Sequence, residues 1–208
     1  MRTETQELSL EELRGLYELV RSLHGAQGLE GIVTGFLEKL NDVVPFDSCA
    51  IIFGDDKSTD FEITHAAGEH AASLVGRKIV SGEGISGWVV ANRHPFCNTD
   101  PLLDLPQSLA AKFDNYLTLA VFPILKGTDL FGAVALYSRS LTKYDATQQR
   151  LLSEACGLFA LALSAAQPVA SQVRRLNREG QVVRKLPAHI PEVHSHHPLD
   201  KSSPRYLH

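Results

Sequence analysis

The sequence predicts an α+β fold with a central antiparallel sheet. Near both ends of the chain, apolar residues recur every three to four positions, which is typical of amphipathic helices. Between these ends lie short apolar or alternating runs separated by turn residues, which is typical of β-hairpins. We therefore expect strands in the middle of the chain and helices at its two ends.

The first two elements are predicted to be helices. Ser9 and Glu12 fit a capping box, in which each side chain bonds the other residue's backbone N–H. A helix over residues 10–24 follows, with one apolar stripe. A second stripe of the same period predicts a helix over residues 29–44, which ends before Pro45 because proline excludes the α conformation at the preceding residue.

A first hairpin is predicted where the period changes. Residues 48–53 form a short apolar run, and Gly54 with two aspartates follows it, which indicates a buried strand and a turn. Residues 61–66 alternate between apolar and polar and fit the partner strand.

A glycine-rich turn and a short helix come next. Gly82 and Gly84 allow a tight turn, and the apolar residues after them recur at helical spacing for about two turns. Pro95 ends this helix. The residues that follow predict an extended piece over 96–101 and an irregular or briefly helical segment up to residue 115.

The last hairpin has two strong strands, residues 116–125 and 130–138, joined by a four-residue loop. Alternation along the second strand predicts two faces. The bulkier set is expected to face the terminal helices, and it comprises Leu130, Val134 and Leu136 with Gly132. The opposite set comprises Phe131, Ala133, Ala135 and Tyr137. After this hairpin, Asp145 is placed to cap a long helix.

Composition and charge restrict the function. The 208 residues have a net charge of −4, and no run approaches the length of a membrane span. Residues 168–208 carry seven basic and three acidic side chains, which leaves −8 on residues 1–167. Such an acidic body is not expected to bind nucleic acid or a membrane. Three well-separated cysteines and a polar N-terminus without an export signal predict reduced thiols and a cytoplasmic protein.

Three segments resemble motifs of GAF domains, which are small α/β sensory modules related in shape to PAS domains. The first is the glycine turn with its short helix, residues 82–96. Residues 121–125 and 130–136 resemble the last hairpin of the family. The resemblance runs from about Leu23 to Ala166. It implies a GAF/PAS-like sheet with the terminal helices on one face and a ligand pocket, covered by the short helix and loops, on the other.

The resemblance divides the chain into three regions. Residues 1–24 form an N-terminal helix suited to dimerisation, residues 25–167 form the GAF domain, and residues 168–208 form a basic, largely disordered tail containing proline and histidine. The tail histidines, among them His194, His196 and His197, lack the spacing of a metal site, so no metal or cofactor is assigned.

The pocket implied by the resemblance has a candidate lining from several elements. Cys49 or Ala50 is expected to contribute from the first strand. The side chains proposed to line the pocket could instead pack against one another as core, without a ligand, and the sequence leaves both possibilities open. The candidate ligand-binding residues are Phe53, Trp88, Phe96, Cys97, Asn98, Phe113, Tyr116, Thr118, Ala133, Ala135 and Tyr137.

The function that follows is non-catalytic sensing or signalling. A small molecule, a protein partner or both would bind, and the terminal helices would form a homodimer. One alternative is a constitutive protein-interaction scaffold with a filled pocket. Another is a small redox enzyme that uses Cys97, similar to free-methionine-sulfoxide reductases. Those enzymes place a cysteine in the glycine turn, where this chain has Ile85 and Ser86.

Overall fold

The computed structural model describes residues 8–55, 60–140 and 143–166. Its helices are α1 (Leu10–Gly25), α2 (Gly28–Val43), α3 (Gly84–Asn92), α4 (Gln107–Ala110) and α5 (Ala146–Ala165). Its strands are β1 (Ser48–Asp55), β2 (Asp60–Gly68), β3 (Lys78–Val80), β4 (Phe96–Thr99), β5 (Thr118–Lys126) and β6 (Asp129–Ser138). Two 3₁₀ turns lie at Ala71–Ser73 and Pro101–Leu103.

The six strands form one antiparallel sheet in the order β3-β2-β1-β6-β5-β4. Strand β1 pairs with β2 on one side and with β6 on the other, so that Ser48 lies opposite Tyr137 and Phe53 opposite Gly132. Helices α1, α2 and α5 cover one face. Helix α3 and the segments around α4 cover the other. The predicted α+β arrangement is confirmed.

The core between the sheet and the three long helices is built on aromatic contacts. Phe36 of α2 stacks on Phe159 of α5 with ring centroids 4.0 Å apart. Phe53 of β1 lies 6.2 Å from the Phe159 ring. Because all three rings are buried, they join two helices to the middle of the sheet.

Both predicted helix caps are present. The backbone N–H of Glu12 donates to Ser9 Oγ at 3.2 Å, and the N–H of Ser9 donates to the Glu12 carboxylate at 2.6 Å. Asp145 and Gln148 make the equivalent pair of bonds at the start of α5. Each cap satisfies N–H groups that a helix leaves without an internal partner.

One prediction about the faces of β6 is wrong at the start of that strand. Val134 and Leu136 face the long helices as expected, whereas Leu130 lies on the opposite face and Phe131 packs toward the helices. The pairing with β5 shifts between Ile124 and Leu125, so one extra residue is inserted into β6. A β-bulge of this kind reverses the alternation on one side of it.

Gly132 follows the bulge and could hardly be another residue. Its φ is +148°, and a Cβ atom built there would lie 1.8 Å from the carbonyl oxygen of Ile52. The close approach of β6 to β1 therefore requires glycine at this position.

Two edge strands were less visible in the sequence. Strand β3 has only three residues, too few for alternation to be recognised, and it pairs with β2 through residues 60–62. The extended piece predicted after Pro95 is β4, which pairs irregularly with β5. The basic tail predicted over residues 168–208 lies outside the described residues.

Candidate functional site

The sheet face opposite the long helices carries an aromatic cluster. Ala133 and Ala135 of β6 are small, and they lie in one buried cluster with three rings, those of Phe113, Tyr116 and Tyr137. The centroid of the Phe113 ring lies 4.9 Å from that of Tyr116 and 5.4 Å from that of Tyr137. These separations are those of packed aromatic pairs, so the chain's own side chains occupy much of this face.

A buried ion pair lies on the same side of the domain. Arg77 precedes β3, and one of its terminal nitrogens donates to the Asp104 carboxylate at 2.7 Å while the other donates to the Asp104 carbonyl at 2.6 Å. Only 2% of the Asp104 side chain and 14% of the Arg77 side chain are exposed. Breaking such a pair would leave a buried charge without a partner, which costs free energy of folding. The two side chains are therefore expected to stay together.

Asp104 also fixes the start of α3. Its carboxylate accepts the Ser86 N–H at 2.6 Å and the Ser86 hydroxyl at 2.9 Å. Glu83, the residue at the N-cap position, makes no side-chain bond to the helix. Close packing adds to the constraint, since a Cβ atom on Gly87 would lie 2.1 Å from the carbonyl oxygen of Val80. Arg77, Ser86 and Asp104 thus hold α3 against β3 and the loop after β4.

Buried polar atoms near this face lack a hydrogen bond within the described part of the chain. The Tyr137 hydroxyl and the Arg77 Nε are buried without a partner among the described residues. Burial raises the pKa of Tyr137 far above its ordinary value, and the nearby Asp104 carboxylate raises it further, so this hydroxyl is protonated at neutral pH. A buried hydroxyl without an acceptor is energetically unfavourable, and a small polar molecule could satisfy it.

The structure brings together part of the predicted lining. Phe113, Tyr116, Ala133, Ala135 and Tyr137 form one cluster, with Phe96 packed against it. The Trp88 ring meets Phe96 edge-on at 5.5 Å but is exposed at the outer surface.

Phe53 does not belong to this group. Along β1, Cys49, Ile51 and Phe53 point to the long helices, and Ala50 and Ile52 point to the aromatic cluster. Strand alternation therefore selects Ala50 between the two residues that the sequence left open, and it places Phe53 on the wrong side of the sheet for the predicted pocket.

Asn98 and Thr118 have structural partners elsewhere. Asn98 accepts the Tyr144 N–H at 2.8 Å and donates to the Tyr144 carbonyl at 3.0 Å, from a backbone with φ of +62°. Thr118 donates to the Ser140 carbonyl at 3.1 Å. Both residues hold the segment that leads from β6 into α5, and Tyr144 completes it by donating to the Pro45 carbonyl at 3.1 Å.

Cys97 lies beside the core of the long helices and not in the aromatic cluster. Burial raises the pKa of its thiol to about 11. Because the thiolate is the reactive form, this environment lowers the reactivity of Cys97 at neutral pH.

A polar cluster that the sequence did not reveal closes the end of the sheet. The Tyr116 hydroxyl lies 2.7 Å from Ser48 Oγ and donates to the Glu69 carbonyl at 3.2 Å. The Arg139 guanidinium lies over the Tyr116 ring, 4.8 Å from its centroid, and bonds the Glu69 carboxylate at 2.5 Å. The Asp47 carboxylate accepts a hydrogen bond from the backbone N–H of Arg139 at 2.7 Å. Four distant segments meet here, so no local pattern could have indicated this cluster.

Residues 8–55, 60–140 and 143–166 contain no group of three or more histidine, cysteine or acidic side chains positioned to hold a metal ion. Within the same ranges, every helix is too short or too polar to cross a membrane.

Comparison with known proteins identifies the family of this chain. The family model described as GAF domain matches residues 26–164. No curated protein matches the sequence.

Solved structures are similar in fold. The GAF domain of a phosphoenolpyruvate-protein phosphotransferase from Coxiella burnetii has a TM-score of 0.68 and 18% identity, covering 78% of this chain and 98% of that one. The equivalent domain from Acinetobacter has a TM-score of 0.64 and 15% identity, covering 79% and 99%. Free methionine-R-sulfoxide reductase from Neisseria meningitidis, solved with its substrate, has a TM-score of 0.58 and 16% identity, covering 80% and 98%.

Proposed function

Because the chain belongs to the GAF domain family, whose members are typically sensory or regulatory, we propose that it is a signalling module that works by binding and not by catalysis. A small molecule is bound on the sheet face opposite the long helices, between the sheet and α3. The terminal helices form a homodimer, and they or the bound face contact a signalling partner.

The buried Tyr137 hydroxyl carries the ligand proposal. This hydroxyl and the Arg77 Nε have no hydrogen-bond partner among the described residues, although both lie in the interior. A ligand with an acceptor group that reaches the Tyr137 hydroxyl would satisfy that donor. The proposed ligand is therefore small, with an aromatic or apolar part that packs on the rings of Phe113 and Tyr116 and an acceptor that reaches Tyr137.

Binding would have to move Phe113, because its ring lies against Tyr137. Phe113 belongs to a segment of single turns after α4, which is joined to the sheet by few regular hydrogen bonds. The ligand would shift the population between a closed state with Phe113 inserted and an open state with the ligand bound. Such a shift requires different ligand affinities for the two states.

The dimer proposal depends on α1. Four apolar side chains on this helix are spaced by three, four and three residues and remain exposed, although α1 also buries Leu19 and Leu23 in the core. This spacing is typical of a seam between two helices. The exposed fractions are Leu10 84%, Leu13 49%, Tyr17 62% and Val20 42%. Leu161 of α5 is exposed beside the end of this seam.

A second candidate is a constitutive scaffold with no ligand. The observation in its favour is the contact between the three rings of the aromatic cluster, which already occupy part of the face that carries Ala133 and Ala135. A redox enzyme using Cys97 is a weaker candidate, because the raised pKa of this partly buried thiol keeps it protonated at neutral pH. We place the protein in the cytoplasm, since its three cysteines are unpaired and two of them are buried.

Native mass spectrometry of freshly purified full-length protein tests the proposal. We expect an excess mass over the denatured chain, which would be lost or reduced in Tyr137→Phe because that variant removes the hydroxyl and keeps the ring. The isolated compound should then raise the melting temperature by the amount expected for ligand linkage. A bare native mass, with no stabilisation by any compound extracted from the producing cells, would favour the scaffold.

A further inference from the structure

A groove of about 410 Å³ lies between the long helices, on the side of the domain remote from the aromatic cluster. Val20 and His24 of α1 form one wall, and Leu158, Leu161 and Ala162 of α5 form the other. Small side chains at its far end, among them Ala165, leave room for another backbone to approach closely. The groove is thus open and mostly apolar.

The last described residues of the chain lie at this groove. Ala166 lines it and is also the residue at which α5 ends, with φ −79° and ψ +69°. Pro168 follows two residues later and cannot continue the helical hydrogen bonding of α5. Helix α5 therefore ends next to the groove, and the sequence continues with residues 167–208.

The first part of that remaining chain has the composition of a groove-binding segment. Val169, Val173 and Leu176 are separated by four and three positions, so a helical turn would place them on one side. The intervening polar positions include Arg174 and Arg175, and Arg178 follows. No acidic side chain occurs between residues 167 and 178.

Charge favours contact of this segment with its own domain. Residues 1–167 have a net charge of −8, and residues 168–208 have a net charge of +4. Opposite charges on one chain raise the local concentration of the segment at the acidic body, and the short connection through Gln167 and Pro168 raises it further.

We propose that residues 169–178 dock into the groove of their own domain. In this arrangement Val173 and Leu176 pack against Leu161 and Ala162, and the arginines remain at the rim. The docked segment covers Val20, which is also the end of the proposed dimer seam on α1. The inference does not depend on ligand binding at Tyr137.

Hydrogen–deuterium exchange of the full-length chain tests the proposal. The variant is Val173→Asp with Leu176→Asp, and the matched control is Val182→Asp with Val183→Asp, which adds the same charges farther along the tail. We expect exchange at residues 20–26 and 158–166 to rise by roughly fivefold in the first variant and to stay unchanged in the control. Neither variant alters a residue of the folded domain, so misfolding cannot imitate the result. Equal exchange in all three proteins would overturn the proposal.

A dilution series separates docking within one chain from docking onto a second copy. Protection of residues 158–166 should be independent of protein concentration, because the contact is intramolecular. Protection that falls on tenfold dilution, together with a dimer mass by light scattering that Val173→Asp with Leu176→Asp converts to a monomer, would assign the groove to the second chain and overturn docking in cis. Reversal of charge in Arg174→Glu with Arg175→Glu should raise exchange in the same direction as the aspartate variant.

Discussion

The carboxylate of Asp104 caps helix α3 from a separate part of the chain, because its Oδ1 accepts the N–H of Ser86 at 2.6 Å. The same carboxylate binds Arg77 ahead of β3. One buried acid therefore determines where the short helix begins and how it lies against the sheet edge. Since α3 covers the proposed ligand site, the geometry of that site depends on Asp104.

Replacing Asp104 by alanine should strongly destabilise the domain. The change leaves the Arg77 guanidinium and the Ser86 donors without their acceptor in the interior, and breaking a buried pair in this way costs about 3–5 kcal/mol. The measurement is the free energy of unfolding in urea. Asp114→Ala is the control, since Asp114 is exposed, and it should change stability by less than about 0.5 kcal/mol. Equal effects of the two variants would contradict the assigned role.

Gly132→Ala should destabilise the protein by about 3 kcal/mol or more, because the new Cβ would collide with the backbone of β1 and adopt an unfavourable φ. Gly157→Ala is the matched control in α5. A Cβ there meets nothing within 4 Å, and alanine is the better helix former by about 1 kcal/mol. Thermal unfolding of both variants should therefore give shifts of opposite sign. A neutral Gly132→Ala would show that β6 can move away from β1.

The stability should fall as the solution is acidified from pH 7.5 to pH 5.5, in part through His65. Burial lowers the pKa of this histidine, although Glu30 at 3.5 Å partly opposes the shift. The unfolded chain then binds the proton more tightly than the folded domain, so stability present above the unfolded pKa is lost as pH falls toward the folded value. His65→Gln should reduce this dependence in urea titrations. His70→Gln, at a more exposed site, serves as control; an unchanged slope in His65→Gln would refute the assignment.

Cys97 should react slowly with alkylating agents. A pKa of about 11 leaves very little thiolate at neutral pH, so the rate with iodoacetamide at pH 7.5 should be at least roughly tenfold below that of an unfolded cysteine. The rate should increase as pH is raised. Mass spectrometry of the labelled protein, with Cys97→Ser as the reference for the two buried thiols, gives the site-specific value. Faster reaction than in the unfolded chain would revive the redox alternative.

The homodimer is tested on α1. Leu13→Glu with Tyr17→Glu places charges in the middle of the exposed seam without altering buried residues of the core, and light scattering should report a monomer. Leu102→Glu, at an exposed leucine after β4, should leave the mass unchanged. If the wild-type chain is itself a monomer at micromolar concentration, the dimer proposal is wrong.

The sequence predicted the elements whose signal is local. Capping at Ser9 and Asp145, the helix ends before Pro45 and Pro95 and the two hairpins are found, because each depends on neighbouring residues. The loop of the last hairpin was predicted with four residues and has two, Gly127 and Thr128, because Lys126 and Asp129 pair with each other. Strand alternation also predicted that Ala133, Ala135 and Tyr137 of β6 share one face, and all three lie in the same buried cluster. Whether this face binds a ligand stays a prediction.

What the sequence could not reveal depends on contacts between distant segments. The bulge before Gly132 is visible only in the pairing with β5, and it changes the faces of Leu130 and Phe131. From the sequence, Asp104 is an ordinary acidic residue of a loop and Asn98 an ordinary turn residue. Their roles become visible only in the structure, where Asp104 accepts a hydrogen bond from Ser86 and Asn98 accepts one from Tyr144. Phe53 was predicted to line the pocket, but it faces the long helices. The short apolar run of β1 does not show which of its alternate residues face those helices.

The pairing of β1 with β6 has a consequence for how the domain is made. The middle of the sheet joins residues 48–53 to residues 132–137, so neither predicted hairpin has both of its edges covered until nearly the whole domain has been synthesised. Formation of this ladder closes a long loop, which slows folding. A fragment that stops before β6 would expose one edge of β1 along its length, and such an edge can pair with another chain. The two halves of the sheet therefore depend on each other, because only β6, the last strand, covers the free edge of β1 and prevents it from pairing with another chain.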